Sequence, residues 1–407
     1  MRTFDSATGA EVLKTCETSQ AQARQRAGRA GRERAGGQCF RLYPERVWCT
    51  LERDTQPEIE RVDLAQVVLQ LKSLGVSAST FEYLSPPPAR ALEWALETLD
   101  ALGALTPRTA GARAVDDAAL TEHGAAMAQL PLSPVFAHTL LRSSEPAFSC
   151  AREMLSVVAL LSSGEHSVLI TPPLASEARA RAAEAHRPFT AHEGDLATLL
   201  RVHEAYSAIE AARGGADSPT VREWCADNFV SMRAMRRAAL VRRQLESILA
   251  RLRPDALASP GEAREPAKAR DAFLRALTAG LFLNAAVRTP AASAGAVTAA
   301  RDRANRASGG YETLVGKRRI AVHPQSSLFA RNPPAKCILF CEAVHTTRLY
   351  ARYVTVIEES WLPELAPRFF QAEAAAATEA TQASRTPGEA PPSKRRRPAQ
   401  APYVYVS

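Results

Sequence analysis

The chain has 407 residues, 46% of them hydrophobic, with 51 Lys and Arg against 43 Asp and Glu and a formal net charge of +8. That length suffices for two to four domains, and the apolar content excludes wholesale disorder. The basic excess fits a polyanionic partner and equally a solvated, Arg- and Ala-rich surface.

Residues 1–45 are short, glycine-punctuated pieces, too few to bury a core of their own. Phe40-Arg41-Leu42-Tyr43 reads as a strand after a turn at Gly36-Gly37. Residues 46–110 are compact and mostly helical. Asp63 can cap a helix carrying Leu64, Val67, Val68, Leu71 and Leu74 on one face, stopped by Gly75. Ser85 and Pro86 to Pro88 open a second, lined by Leu92, Leu96 and Leu99 and ended by Gly103. With the extended Ala104-Leu105 they suit a winged-helix module.

Residues 111–255 read as a helical bundle. Ser133-Pro134 opens a helix with Phe136, Leu140 and Leu141 inward. Met154 to Leu161 is apolar all round, which predicts a buried helix. Asp195 can cap a helix carrying Leu196, Leu199, Leu200, Tyr206 and Ile209. Ser218-Pro219 opens a long one through Trp224, Phe229, Met232, Met235, Val241, Leu245 and Ile248, with Arg233, Arg236, Arg237, Arg242 and Arg243 on its other face. Those arginines read as a solvated face or as the lining of a nucleic-acid channel.

Residues 256–269 form a polar linker, Ala272 to Leu283 a further amphipathic helix, and residues 285–310 a loop or insertion rich in small residues. From Tyr311 the pattern changes to strands at Arg319 to His323, Lys336 to Glu342 and Leu349 to Ile357, which fits a small barrel of the oligonucleotide-binding (OB) type. The fold class expected is mainly α with a small β-barrel. Residues 371–407 lose apolar content and end near the basic Lys394 to Arg397, the pattern of a disordered tail or a nuclear-import signal.

Seven cysteines, Cys16, Cys39, Cys49, Cys150, Cys225, Cys337 and Cys341, form no C-x-x-C pair. Their odd number argues against a disulfide framework or zinc ribbon. Cys337 and Cys341 read as buried strand thiols. The eight histidines have no metal-ligand spacing. No apolar stretch is long enough to span a membrane, and Met1 to Asp5 carry no signal-peptide core. A soluble protein of a reducing compartment is expected, nuclear or nucleolar if the basic tail is an import signal and otherwise cytoplasmic.

The most informative stretch is Gln25-Arg26-Ala27-Gly28-Arg29-Ala30-Gly31-Arg32. Its glycines let the backbone approach a ligand, and Arg29 and Arg32, three apart, fall on one side of a helical turn. Planar guanidinium forks match phosphate oxygens and can neutralise a transferring phosphoryl group. On residue types alone the stretch is also a solvated basic loop.

These eight residues resemble, without departure, the sixth motif of the DEAH-box ATP-dependent RNA helicases. Ser19-x-Ala21, Cys39 to Tyr43 and Pro57-Glu58-Ile59 are similar to that family too. So, in its order, are Leu130-Pro131-Leu132 with Pro134, Glu193-Gly194-Asp195 with Thr198-Leu199-Leu200, Trp224-Cys225 with Asn228-Phe229, and His323-Pro324-x-Ser326 with Leu328-Phe329. The resemblance covers about residues 1–370. It implies the end of a second RecA-like domain at 1–45, a winged helix at 46–110, a ratchet-like bundle at 111–255 and an OB-fold at 270–370. Arg29 and Arg32 would be arginine fingers facing the ATP γ-phosphate, Gln25 would lie near the attacking water, and Gly28 beside the phosphates. Arg26 would be structural. Mg²⁺ would accompany ATP, and single-stranded RNA would pass between these modules and the two RecA-like domains. An activator protein would dock on the OB or winged-helix module.

No G-x-x-x-x-G-K-[ST] loop and no D-E-x-H sequence occurs in the 407 residues. Gly316-Lys317-Arg318 is no P-loop, and Glu165-His166 lacks the preceding acid. The chain alone is therefore expected not to bind ATP and Mg²⁺ well or to hydrolyse ATP. It is either the back half of a motor or a non-catalytic fragment that binds RNA or protein. Leu196 stands where the family commonly has a histidine, which puts a local hydrogen bond in question. The insertion at 285–310 does the same for RNA contacts in the OB region. His323 and Ser326 read as phosphate contacts or as a turn between strands. Arg348, Tyr350 and Arg352 alternate, so they share a strand face that either grips RNA or is simply exposed.

Overall fold

The computed structural model describes residues 2–5, 10–13, 16–32, 36–106, 118–164, 167–173, 176–212, 215–216, 218, 219–257, 265–289, 310–329, 331–346 and 348–370. The tail, most of the small-residue insertion and Glu165-His166 lie outside them. Strands β1 (Arg2–Asp5) and β2 (Ala10–Leu13) form an antiparallel hairpin that no sequence pattern marks. Helix α1 (Gln20–Ala27) starts at Ser19, whose Oγ accepts from Gln22 N at 3.1 Å. The segment Phe40 to Tyr43 is not a strand. No described strand lies beside it to pair with, and Phe40 and Leu42 stand 80% and 98% exposed.

Two short helical units follow, α2 (Glu45–Thr50) and α3 (Ala65–Ser73). Asp63 starts α3 as expected, its Oδ1 accepting from Ala65 N at 3.0 Å. Gly75 ends it at φ +73°, a region open to glycine. Val68 and Leu69 are buried, while Leu74 points outward. Helix α4 (Ala89–Ala101) follows Pro86 to Pro88 and ends at Gly103, φ +69°. Leu105 then bridges to Leu120.

The bundle comprises α5 (Glu122–Ala128), α6 (Pro134–Ser143), α7 (Ala151–Ser162), α8 (Glu177–His186), α9 (Asp195–Ala212), α10 (Pro219–Asp227), α11 (Met232–Leu252) and α12 (Pro266–Leu281). Helix α7 is buried along its length, packed on α11 and α6. The long helix expected from Ser218 onward is two helices. Phe229 takes φ +50°, Val230 bridges to Leu169, and Ser231 caps a new start by accepting from Ala234 N at 3.2 Å. Helix α12 begins at Pro266, inside the stretch read as linker. Arg236 and Arg242 of α11 do not point outward. Arg236 donates to Ala216 O at 3.4 Å, and Arg242 donates to Ser156 Oγ at 3.2 Å and pairs with Glu246 at 3.0 Å. Arg233, Arg237 and Arg243 are exposed.

The remaining strands are β3 (Ala285–Arg288), β4 (Gly310–Thr313), β5 (Arg319–Val322), β6 (Cys337–Leu339), β7 (Glu342–His345), β8 (Leu349–Arg352) and β9 (Thr355–Ile357). Residues 285–288, read as loop, are thus a strand. The order is β7-β8-β5-β4-β3-β6-β9, antiparallel except for the parallel β5–β8 pair. The sheet is not closed into the expected barrel. Each edge is covered by another part of the chain rather than by the opposite edge, which removes the need to close. Strand β2 lies against β7, and Gly194 bridges to Thr355 of β9. After the sheet, α13 (Trp361–Leu365) packs on α12, where Arg275 pairs with Glu364 and Phe369 meets Phe282 at 5.3 Å.

One polar contact runs through the core. His138 Nε2–H donates to Ala279 O at 3.2 Å, because a carbonyl only accepts. Its Nδ1 therefore accepts from His123 Nε2–H at 2.7 Å, and three helices are joined. Burial pushes His138 down to about 3 and His123 to about 4, with Arg142 adding to both. These folded values lie below the unfolded one, so the unfolded chain binds more protons as pH falls below about 6.5. Stability is therefore full above that pH and is lost as pH falls toward about 4. Urea midpoints should fall between about pH 7 and about pH 5, and less steeply in His138→Gln. A flat profile in the native protein would contradict the buried pair.

Candidate nucleic-acid interface

Where bundle and sheet meet, a cleft of about 310 Å³ opens between α8, the start of α9, the 323–327 turn and the end of β8. The joint is made by Glu193-Gly194-Asp195. Gly194 has φ +118°, and a Cβ there would stand 2.3 Å from Val354 O, so only glycine lets the two backbones meet. Val356 N donates to Glu193 O and Asp195 N to Val354 O, both at 2.8 Å. Glu193 also meets Arg270 at 3.1 Å.

Asp195 opens α9, as the sequence predicts, but its carboxylate serves the sheet. Oδ1 accepts from Ser327 N and Ser327 Oγ, and Oδ2 from Val354 N, each at 2.8 Å. Leu196, one residue on, is 1% exposed in the apolar core. The leucine makes no side-chain hydrogen bond there, and the buried Thr355 Oγ1 at the same joint has no hydrogen-bond partner among the described residues.

The 323–327 turn holds itself together. His323 Nδ1 accepts from Gln325 N at 3.2 Å, and Ser326 Oγ from Leu328 N at 3.2 Å. Both residues line the cleft, as does Arg352. Burial pushes the His323 imidazole below its usual range, Arg352 adds to that, and Asp195 opposes it. Its ring meets Tyr350 edge-on at 5.5 Å, and Arg348 lies over Tyr350 at 4.9 Å. All five residues singled out by sequence in this region thus come together: His323, Ser326 and Arg352 in the cleft, Tyr350 and Arg348 along one face beside it. Arg352 is held by Glu342 at 3.2 Å and stacks over Tyr353 at 5.2 Å.

Sequence reasoning missed Tyr353, Arg179 and His186. Tyr353 follows the alternating Arg348-Tyr350-Arg352 run but takes φ +54°, which turns the chain between β8 and β9. Arg179 and His186 sit on α8, where no motif marks them. Arg179 donates to Pro172 O at 3.0 Å and His186 to Phe229 O at 3.3 Å, which pins α8 to the chain just after the Leu169 bridge and to the link between α10 and α11.

The Gln25 to Arg32 stretch lies elsewhere. None of the cleft's lining residues belongs to it. Helix α1 stops at Ala27, and Gly28 to Gly31 form a turn that leaves Gln25, Arg29 and Arg32 exposed. Arg24 and Arg41 instead lie over Trp48 at 5.3 and 4.2 Å, and among the described residues neither Arg29 nor Arg32 has an ion pair.

The sheet and bundle define the class. Residues 274–369 match the oligonucleotide/oligosaccharide-binding (OB)-fold family, and residues 133–199 the ratchet-like helicase-associated domain (HA2). The chain is 35% identical over 373 residues to the probable ATP-dependent RNA helicase DHX35 of Homo sapiens, covering 91% of this chain and 46% of that protein. It is 34% identical over 369 residues to the human ATP-dependent RNA helicase DHX33, covering 90% and 45%. These matches support reading the chain as the C-terminal half of a DEAH-box RNA helicase. The chain spans about half the length of the curated relatives it matches.

Gly194→Ala should loosen the joint, because neither the backbone angle nor the space admits a Cβ. The amide of Val356 should lose most of its hydrogen-exchange protection while α7 amides keep theirs. Unchanged protection at Val356 would show that the joint does not need glycine.

Proposed function

We propose that this chain is the RNA-gripping part of an ATP-dependent RNA helicase that remodels RNA or ribonucleoprotein. The observation that carries the reading is the cleft itself. It gathers Arg179, Arg352, His323, Ser326 and the Tyr353 ring, with Tyr350 beside it, at the contact between a ratchet-like bundle and an OB-fold. About 310 Å³ lies at the low end of ligand pockets, which fits one nucleotide of a single strand rather than a duplex. The arginines neutralise phosphate, and the Tyr350 and Tyr353 rings offer stacking faces indifferent to sequence.

Under the same proposal residues 1–45 end a second RecA-like domain and residues 46–110 are a winged helix. Arg29 and Arg32 then act as arginine fingers on ATP bound with Mg²⁺ between RecA-like domains, with Gln25 and Gly28 beside the phosphates. Their exposure in a turn, without ion pairs among the described residues, supports it. An activator protein docking on the winged-helix or OB module, and a nuclear or nucleolar site of action, belong to this reading too. With no P-loop or D-E-x-H sequence in the 407 residues, the chain by itself binds RNA without hydrolysing ATP. That same observation favours the second reading, a non-catalytic RNA- or protein-binding fragment.

Fluorescent single-stranded RNA titrated into the full chain over a salt series tests this. Log affinity should fall with log salt by roughly 0.7 per phosphate neutralised. Arg352→Ala should weaken binding and reduce that slope by about one phosphate. Tyr350→Ala should weaken binding by about 1–3 kcal/mol with the slope unchanged. No RNA binding at low salt, or ATP hydrolysis by the chain alone, would overturn the reading.

A further inference from the structure

One acidic side chain lines an otherwise basic cleft. Asp195 stands beside Arg179, Arg352 and His323. A carboxylate there repels phosphate, so by charge alone it opposes binding. Its oxygens, however, are engaged by three donors from two different segments, Ser327 N, Ser327 Oγ and Val354 N. The first segment carries His323 and Ser326, and the second carries Arg352 and Tyr353. Tyr353 sits at φ +54°, a backbone state that side chains other than glycine disfavour, and the neighbouring Val354 is bound to Asp195 through both its N–H and its C=O.

We infer that Asp195 is a positioning residue for the cleft: its carboxylate locks the 323–327 turn to the Arg352-Tyr353 corner, and this ordering outweighs its repulsion of phosphate. The inference rests on the cleft being the RNA site proposed above. It makes a prediction opposite in sign to simple electrostatics. Asp195→Asn removes the repulsion, which alone would tighten binding. An asparagine cannot satisfy all three donors: with its oxygen on Ser327 its NH₂ faces the Val354 N–H, and flipped it faces the Ser327 N–H, donor to donor either way.

Affinity of the full chain for a fluorescent oligouridine strand, measured by anisotropy, separates the two. Asp195→Asn should bind about tenfold more weakly than the native chain, at an unchanged melting temperature or with the folded fraction corrected for. Ser327→Ala, which changes no charge, should weaken binding in the same direction. The double variant should be little weaker than Asp195→Asn, since the lock needs both its Ser327 and its Val354 ends and Asp195→Asn already breaks one of them. By NMR the His323 titration midpoint should move down in Asp195→Asn, because the carboxylate charge holds it up. Equal or tighter binding by Asp195→Asn overturns the inference while leaving the RNA reading intact. If that variant fails to fold, Ser327→Ala decides, and native affinity in it overturns the inference. A native chain that binds no RNA overturns the RNA reading and the inference together.

Discussion

The architecture depends on one close approach of two backbones, at Gly194 against β9. A side chain there would strike Val354 O at 2.3 Å, so the bundle can supply an edge to the sheet only through glycine. Flanking it, Glu193 O and the Asp195 carboxylate receive the sheet's amides. The same contact explains why the sheet stays open, since β9 meets the bundle instead of β7. It also creates the cleft, because α8 and the 323–327 turn are brought face to face across it.

Much of this fold is legible in the sequence where the cause is local. Ser-Pro pairs mark the starts of α6 and α10, glycines end α3 and α4, and the apolar run at 154–161 is the buried α7. What is not legible depends on distant partners. Phe229 interrupts a continuous helical pattern because Val230 pairs with Leu169, far upstream in the chain. Phe40 to Tyr43 has strand composition and no described strand beside it. The hairpin at the start is too short to stand out, although Thr3-Phe4 and Glu11-Val12-Leu13 have strand-forming content. Barrel closure cannot be read from strand count when segments 10–13 and 193–194 occupy the edges.

The candidate site divides in the same way. His323, Ser326, Arg348, Tyr350 and Arg352 were found from short patterns, a turn and an alternating strand face. Asp195 carries a helix-cap signature, yet its side chain spans to Ser327 and Val354, 132 and 159 residues away. Nothing in a linear pattern indicates that role. The arginine-rich turn after α1 is a different case. Its residues are identified by family resemblance, and their chemistry belongs to a nucleotide site that this chain only borders under the proposed reading. Arg24 and Arg41, stacked on Trp48, show how guanidiniums in the same region can be structural instead.

Under the proposed reading a single RNA strand is held where the bundle meets the OB-fold. Photocrosslinking of 4-thiouridine RNA to the full chain, with the attached residues mapped by mass spectrometry, tests it most directly. Crosslinks at His323, Tyr350 or Tyr353 are the predicted result. Crosslinks confined to the exposed arginines of α11, Arg233, Arg237 and Arg243, with none at the cleft, would contradict it.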